Sequence, residues 1–238
     1  GAVLTVLQIL QMAGSNLFPA LVLAPLRVAR DVWPTEAAQW DHLDGLRVRA
    51  IIGSAEQRRW SLHKDAEVYT INYENIPWLV KHYGEKWPFK IIIADESTRL
   101  KNFRLRAGGS RAAALATIAR KTGRWINLTG TPAPNGLKDL WGQSWFLDFG
   151  ERLGRTWTGF KERWFDSNQY SMELLPKGYA QEQIQSALAD ITLTTQMKDW
   201  VSLTEPISHP VWVEMPVAQM KEYKKLERDM FLALSNGV

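Results

Sequence analysis

The chain has 238 residues, 45% hydrophobic and 23% charged, with a formal net charge of +4 and a pI near 9.3. This is the balance of an ordinary globular protein, long enough for one large domain or one domain with an appendage, and its mild basicity points toward anionic partners. The absence of cysteine excludes disulfides and thiolate metal sites, no apolar run reaches the ~18 residues of a membrane span, and residues 1 to 13 lack the basic leader and cleavage site of a signal peptide.

In chain order, "VLTVLQILQM" (3 to 12) is apolar nearly all round and long enough to predict a buried helix. "ALVLAP" (20 to 25) is a continuous apolar run closed by proline, as in a buried parallel strand. Residues 27 to 40 carry helical spacing, with Pro34 marking a start or a kink. "LRVRAIIG" (46 to 53) predicts a second strand, followed by a short helix with Ser54 as N-cap. A third strand is expected over 66 to 74, a helix from Ile76 to Tyr83 and a fourth strand from Phe89 to Ala94. An Ala-rich helix stopping at Gly123 then precedes a fifth strand and turn, "RWINLTGTP" (124 to 132). Strands alternating with helices predict a parallel sheet covered on both faces. From 136 to 200 the pattern is mostly helical, with a loop near "DSNQYSMELLPKGY". A short extended piece (209 to 216) and a charged amphipathic helix follow. Most of the 12 tryptophans are expected to be core or interface anchors, since each carries a large apolar area.

The most informative stretch is "IIIADESTRLKN" (91 to 102), where a buried strand runs into Asp95 and Glu96. In a doubly wound sheet, ligands bind beyond the carboxyl ends of the strands. A carboxylate there suits Mg²⁺, which takes hard oxygens and keeps its waters. A second carboxylate beside it can orient or deprotonate a water, the division of labour that phosphoryl transfer uses. Taken alone, the pair leaves a second reading open, in which Asp95 caps the next helix and Glu96 is solvated. "LTGTPAPN" (128 to 135) leaves the following strand as a rigid, hydroxyl-bearing turn and is expected at the same edge.

Together, "LVLAPLRV", "YTINYE", "DESTRLKN", "LTGTPAPN" and the closing "TTQMKDWVSLTEPISHPVWVEMPVAQMKEYKKL" resemble, in order, motifs of the Swi/Snf-like ATPases of helicase superfamily two, phage-type members above all. The resemblance implies an α/β, RecA-like doubly wound lobe, the first of two, over residues 1 to 150. A mainly helical extension (151 to 208) and a linker strand and helix (209 to 238) would lead to the second lobe. It implies an ATP- and Mg²⁺-dependent hydrolase coupled to translocation along, or remodelling of, duplex DNA. Asp95 would bind Mg²⁺ and Glu96 would act on the attacking water. Asp95 and Glu96, with Thr129, Gly130 and Thr131, would face the nucleotide, and Thr129 and Thr131 would link its state to the grip on nucleic acid. Pro25, Arg27, Lys101, Asn102 and Arg104 would approach the DNA backbone without reading sequence. The expected setting is the cytoplasm of a bacterial or phage-infected cell, away from membranes.

Two family parts are missing from residues 1 to 238: a G-x-x-x-x-G-K-[ST] phosphate loop and a later arginine-bearing motif. The expectation is therefore a lobe that is inactive alone. The alternative is a catalytically silent module, derived from such an ATPase, that binds nucleic acid or protein. A metal-dependent hydrolase without ATP is disfavoured, because two carboxylates with no His or third acid make a poor all-protein metal site. "RLRAGGSR" (104 to 111) is read either as a solvated loop or as a phosphate contact. His42, His63, His82 and His209 show no metal-ligand spacing. Trp157, Phe160, Trp164 and Phe165 form a stripe expected to face the core.

Overall fold

A computed structural model describes residues 1–105, 110–167, 173–195 and 209–235. These fall into two compact units, Gly1–Thr192 and Leu193–Val238.

In the first unit, β1 (Ala20–Ala24), β2 (Val48–Ala50), β3 (Val68–Asn72), β4 (Ile91–Asp95) and β5 (Arg124–Leu128) form one five-stranded sheet in the order β2-β3-β1-β4-β5. Every pairing is parallel, so all five carboxyl ends share one edge. The continuous apolar runs of the sequence are the strands buried on both faces. Period-two alternation divides them: Ala20, Val22, Ala24, Ile91 and Ile93 enter one core, and Leu21, Leu23, Ile71, Ile92 and Ala94 the other. The first core is closed by α1 (Ala2–Met12), through Leu4 and Leu7, and by Trp33 of α2 (Trp33–Gln39). The second is closed by α4 (Ile76–Tyr83), α5 (Ser110–Ala119) and α6 (Leu140–Asp148), which insert Leu79, Leu115 and Trp141.

α3 (Ala55–Leu62) starts as its sequence predicts. The Ser54 hydroxyl accepts from the Gln57 amide at 3.2 Å, and the Gln57 side chain accepts from the Ser54 amide at 2.7 Å, a reciprocal capping box. Ser54→Ala is expected to cost about 1 kcal/mol. At this size that lowers Tm by roughly 2–4 °C, and an unchanged melting curve would contradict the cap's contribution.

The second strand is shorter than the pattern suggested, Val48–Ala50 rather than 46 to 53. It lies at the sheet edge, and after Ile51 donates to the Thr70 carbonyl at 2.8 Å the chain turns away through Gly53 at φ +88°. The Ala-rich helix stops at Ala119, earlier than Gly123. The region from 136 to 200 is less uniformly helical than expected. α7 (Trp157–Trp164) and α8 (Ala180–Leu188) flank a small antiparallel ladder of β6 (Phe165–Ser167) and β7 (Leu174–Pro176). The aromatic stripe is core, as its spacing predicts: Phe160, Trp164 and Phe165 are buried and Trp157 packs against them.

In the second unit, residues 209 to 216 are exposed and form no ladder, and α9 (Val217–Ser235) is the amphipathic helix expected. Among the described residues no helix is long and apolar enough to cross a membrane.

Candidate active site

Asp95 is the last residue of β4 and pairs with Leu128 of β5, so Thr129 leaves the sheet one step further along the same edge. β1 pairs Leu23 with Ala94, which brings Pro25 and the turn after it alongside. The parallel register thus gathers the acidic strand end, the hydroxyl-bearing turn and the segment carrying Arg27.

The carboxylate of Asp95 is anchored from the neighbouring turn. Trp33, itself 8% exposed, donates its indole N–H to Asp95 Oδ2 at 2.9 Å. Trp33 is delivered by a π-helical turn, Val28–Val32, that runs directly into α2. The Thr70 hydroxyl, buried in β3, donates to the Ala29 carbonyl within that turn. Single π turns inside helices are rare and frequent at functional sites. Pro34, read in the sequence as a start or kink, occupies the first turn of α2. On the other side the Tyr73 hydroxyl donates to the Asp95 main-chain oxygen at 2.9 Å. Burial, then the charge of Asp95, push the Tyr73 hydroxyl far above its ordinary pKa, so it remains a donor.

Glu96 is exposed and adopts φ 55°, ψ 53°, a left-handed conformation unusual for a residue with a Cβ. The backbone leaves extended geometry at this residue, and its carbonyl accepts from the Arg99 amide at 3.0 Å to start the turn Ser97–Leu100. Backbone strain of this kind persists where the surroundings over-determine it, and it concentrates at functional sites.

The surroundings here are specific. Ser97 is fully buried, and its hydroxyl lies 2.8 Å from Oε1 of Gln143 on α6. The Gln143 amide nitrogen donates to the carbonyls of Pro132 and Asp139. Asn127 of β5 donates to the Gln143 carbonyl at 3.0 Å. Gly142 permits this closeness, since a Cβ there would meet the Leu100 and Lys101 carbonyl oxygens at 2.6 and 2.5 Å. The Thr129–Thr131 turn is closed by the Thr131 amide donating to the Thr129 hydroxyl at 3.1 Å. Thr129 is half-buried, and Gly130 and Thr131 are exposed.

A second network crosses the edge at β3. Glu74 accepts from Asn72 at 2.8 Å and pairs with Arg111 at 3.0 Å and Arg99 at 3.7 Å. The Asn72 hydrogen bond, with the two arginines adding, holds the Glu74 carboxyl below the usual carboxylate range.

The residues expected to approach DNA divide into two groups. Pro25 is half-buried, and Arg27 and Asn102 are exposed, Arg27 without an ion pair among the described residues. Lys101 reaches Asp139 at 3.5 Å, while Asp139 also accepts the Asn135 amide at 2.9 Å. The Arg104 guanidinium lies 3.5 Å from the Trp157 ring centroid and donates to the Lys101 and Phe103 carbonyls. Burial lowers its pKa from the ordinary arginine value. Residues 106 to 109 of the basic segment lie outside the described residues. Tyr73 and Glu74 stand inside "YTINYE", whose strand pattern is the sequence signal for them, whereas nothing local in the sequence marks Trp33 or Gln143 as part of the site.

Among the described residues no three His, Asp or Glu side chains cluster as a metal cage. A lone anchored carboxylate nevertheless fits Mg²⁺, which is commonly held by one or two carboxylates together with substrate phosphates and waters. One oxygen of Asp95 is fixed by Trp33, and Oδ1 accepts no hydrogen bond among the described residues.

The SNF2-related domain matches residues 2–238. Protein p41 of Acyrthosiphon pisum secondary endosymbiont phage 1 is 52% identical over 242 residues, covering 99% of this chain and 53% of the phage protein. Helicase SWR1 of Saccharomyces cerevisiae is 28% identical over 137 residues, 56% of this chain and 8% of the helicase. The Sulfolobus solfataricus SWI2/SNF2 ATPase core, solved in complex with dsDNA, shares the fold, with a TM-score of 0.59 at 22% identity over 79% of this chain and 36% of that one. The chain spans about half the length of its phage relative. With the family pattern running from residue 2 to residue 238, the chain belongs to the SNF2-related domain family.

Proposed function

We propose that this lobe is the first of two in a DNA-dependent ATPase that couples ATP hydrolysis to movement along, or remodelling of, duplex DNA. The observation that carries the reading is the pairing of an anchored Asp95 with a left-handed Glu96, on the same sheet edge as the Thr129–Thr131 turn.

In this reading Asp95 would hold Mg²⁺, which would neutralise charge on the phosphate oxygens. Trp33 restrains the carboxylate so that little reorganisation is needed on binding. Glu96 accepts a hydrogen bond from the attacking water and aims it, and takes its proton as the bond from the water oxygen to the γ-phosphorus forms and the bond to the leaving oxygen of ADP breaks. Thr129, Gly130 and Thr131 border the nucleotide and pass its state toward the DNA-binding edge. The phosphate cradle and a charge-stabilising arginine would come from sequence outside residues 1–238. The direct test is Mg²⁺-dependent ATP hydrolysis by the full-length protein carrying this lobe, with and without duplex DNA. DNA binding without any hydrolysis would favour a silent binding module instead.

On DNA, Arg27 and Asn102 are assigned direct backbone contacts beside Pro25. Lys101 and Arg104, held by Asp139 and Trp157, support the turn that presents them. Phosphate contacts position a protein without reading bases. The lobe is expected to bind any duplex weakly, with affinity falling as salt rises. Arg27→Ala should weaken binding to unrelated duplexes alike and flatten the slope of log K against log salt by about 0.9. Fluorescence anisotropy over a salt series checks this. A salt-independent affinity, or a preference for one duplex, would contradict a backbone grip.

A further inference from the structure

We infer that Gln143 is a positioning residue that ties the placement of Glu96 to the conformation of the Thr129–Thr131 turn; this rests on the ATPase reading above. Gln143 is 4% exposed and bridges the turn after Asp95 to the turn after Leu128, just beyond the point where those two residues pair in the sheet. One end of its amide receives the Ser97 hydroxyl at 2.8 Å, directly after Glu96. The other end donates to the Pro132 carbonyl, directly after Thr131, and to the Asp139 carbonyl at 3.2 Å.

Chemistry fixes the orientation of this amide. Two carbonyls can be faced only by the NH₂ group, so the oxygen must take the Ser97 hydroxyl proton. The bridge cannot be reversed by a flip, and loss of the Ser97 contact would leave buried polar atoms unpaired, at a cost of about 1–3 kcal/mol, whereas loss of the Pro132 contact would leave the amide nitrogen on the Asp139 carbonyl alone. The backbone around it gives little slack. Asn127 grips the Gln143 carbonyl, and Gly142 sits against the Leu100 and Lys101 carbonyls. Beside the β4–β5 pairing, Gln143 thus gives a movement of the Thr129–Pro132 turn a direct side-chain route to Ser97. Ser97 follows the only described non-glycine residue besides Phe149 with positive φ. A left-handed Glu96 is an unfavoured conformation, and the buried Ser97–Gln143 contact helps over-determine it. In the ATPase cycle this makes the aim of the Glu96 carboxylate depend on whether the Thr129–Thr131 turn is seated.

The test uses the full-length protein carrying this lobe, comparing wild type with Gln143→Met, Ser97→Ala, the double variant and Glu96→Gln. Methionine keeps the length and volume of glutamine without its amide. A misplaced water-aiming group predicts that kcat falls ~10- to 100-fold in each single variant, with KM for ATP unchanged to within about twofold. The double variant should lose no more than the worse single one, because both break the same bridge. Melting temperature and the affinity for a non-hydrolysable ATP analogue report separately on folding. Should Gln143→Met unfold, Ser97→Ala, which removes one atom, carries the test alone. If wild type hydrolyses ATP and Glu96→Gln does not, but the bridge variants keep full kcat or lose only nucleotide affinity, the positioning role is overturned and the ATPase reading stands. If wild type shows no hydrolysis, both are overturned.

Discussion

Glu96→Gln in the full-length protein will cut ATP turnover by about 10²- to 10⁴-fold, the usual contribution of a positioned general base. Nucleotide affinity should be retained. Glutamine is the same size, can hold the same backbone and keeps a hydrogen-bonding tip, but it cannot take a proton. Glu96 is exposed, so the substitution leaves the core intact, and a surface change of this kind normally moves stability by less than about 0.5 kcal/mol. A pure kcat effect with ATP binding and melting temperature preserved is the signature of a group that acts only in the transition state. Retention of full rate would remove Glu96 from the role. Loss of nucleotide binding along with rate would assign it to the cradle instead.

Trp141→Ala is expected to have the largest effect on stability, about 3–5 kcal/mol. The side chain is fully buried, its indole N–H donates to the Gly154 carbonyl at 2.8 Å, and its ring stacks on Phe103 with centroids 5.9 Å apart. Truncation opens a cavity and leaves the Gly154 carbonyl without its donor. Phe103 closes the segment that follows Lys101, and Arg104 packs on the neighbouring Trp157. The loss therefore reaches the turn that carries Asn102. Urea denaturation followed by circular dichroism provides the measurement, with Trp60→Ala as the control. Trp60 is 57% exposed and should shift the midpoint little. A loss at Trp141 below about 1 kcal/mol, inside the range of surface substitutions and far from that of core truncations, would mean that this cluster is not the core of the lobe's second face.

Much of this was legible from local pattern. A short run of three isoleucines and an alanine that ends in two carboxylates suggests both a strand buried on both faces and the edge where it stops, its length and β-branched residues arguing against a buried helix. The Ser54 cap and the Ile76–Tyr83 helix were equally plain, since their signals are contained within one turn. What the sequence concealed is carried by partners far apart along the chain. Trp33 and Asp95 are 62 residues apart, and Ser97 and Gln143 are 46 apart. Gln143 lies in an aromatic-rich helix where a polar residue looks like a solvent-facing one, and only the packing of α6 against two turns buries it. The β6–β7 ladder was hidden for a related reason. Phe165 continues the aromatic spacing of α7, yet the helix ends at Trp164 and Phe165 pairs with Pro176. The basic residues after Asp95 suggest a phosphate grip as a string, and what the string does not show is that Lys101, Arg104 and Arg111 also have partners within the fold, Asp139, Trp157 and Glu74.

The proposed role of the Asp95–Glu96 strand end is the hydrolytic edge of a DNA-coupled ATPase lobe. Steady-state phosphate release by the full-length protein, with Mg²⁺ and ATP, measured with and without a duplex of arbitrary sequence, tests it most directly. The expected result is hydrolysis that requires Mg²⁺, rises when duplex is added, and is abolished by Asp95→Asn. Absence of hydrolysis in the folded wild-type protein, or a rate indifferent to both duplex DNA and Asp95→Asn, would contradict it.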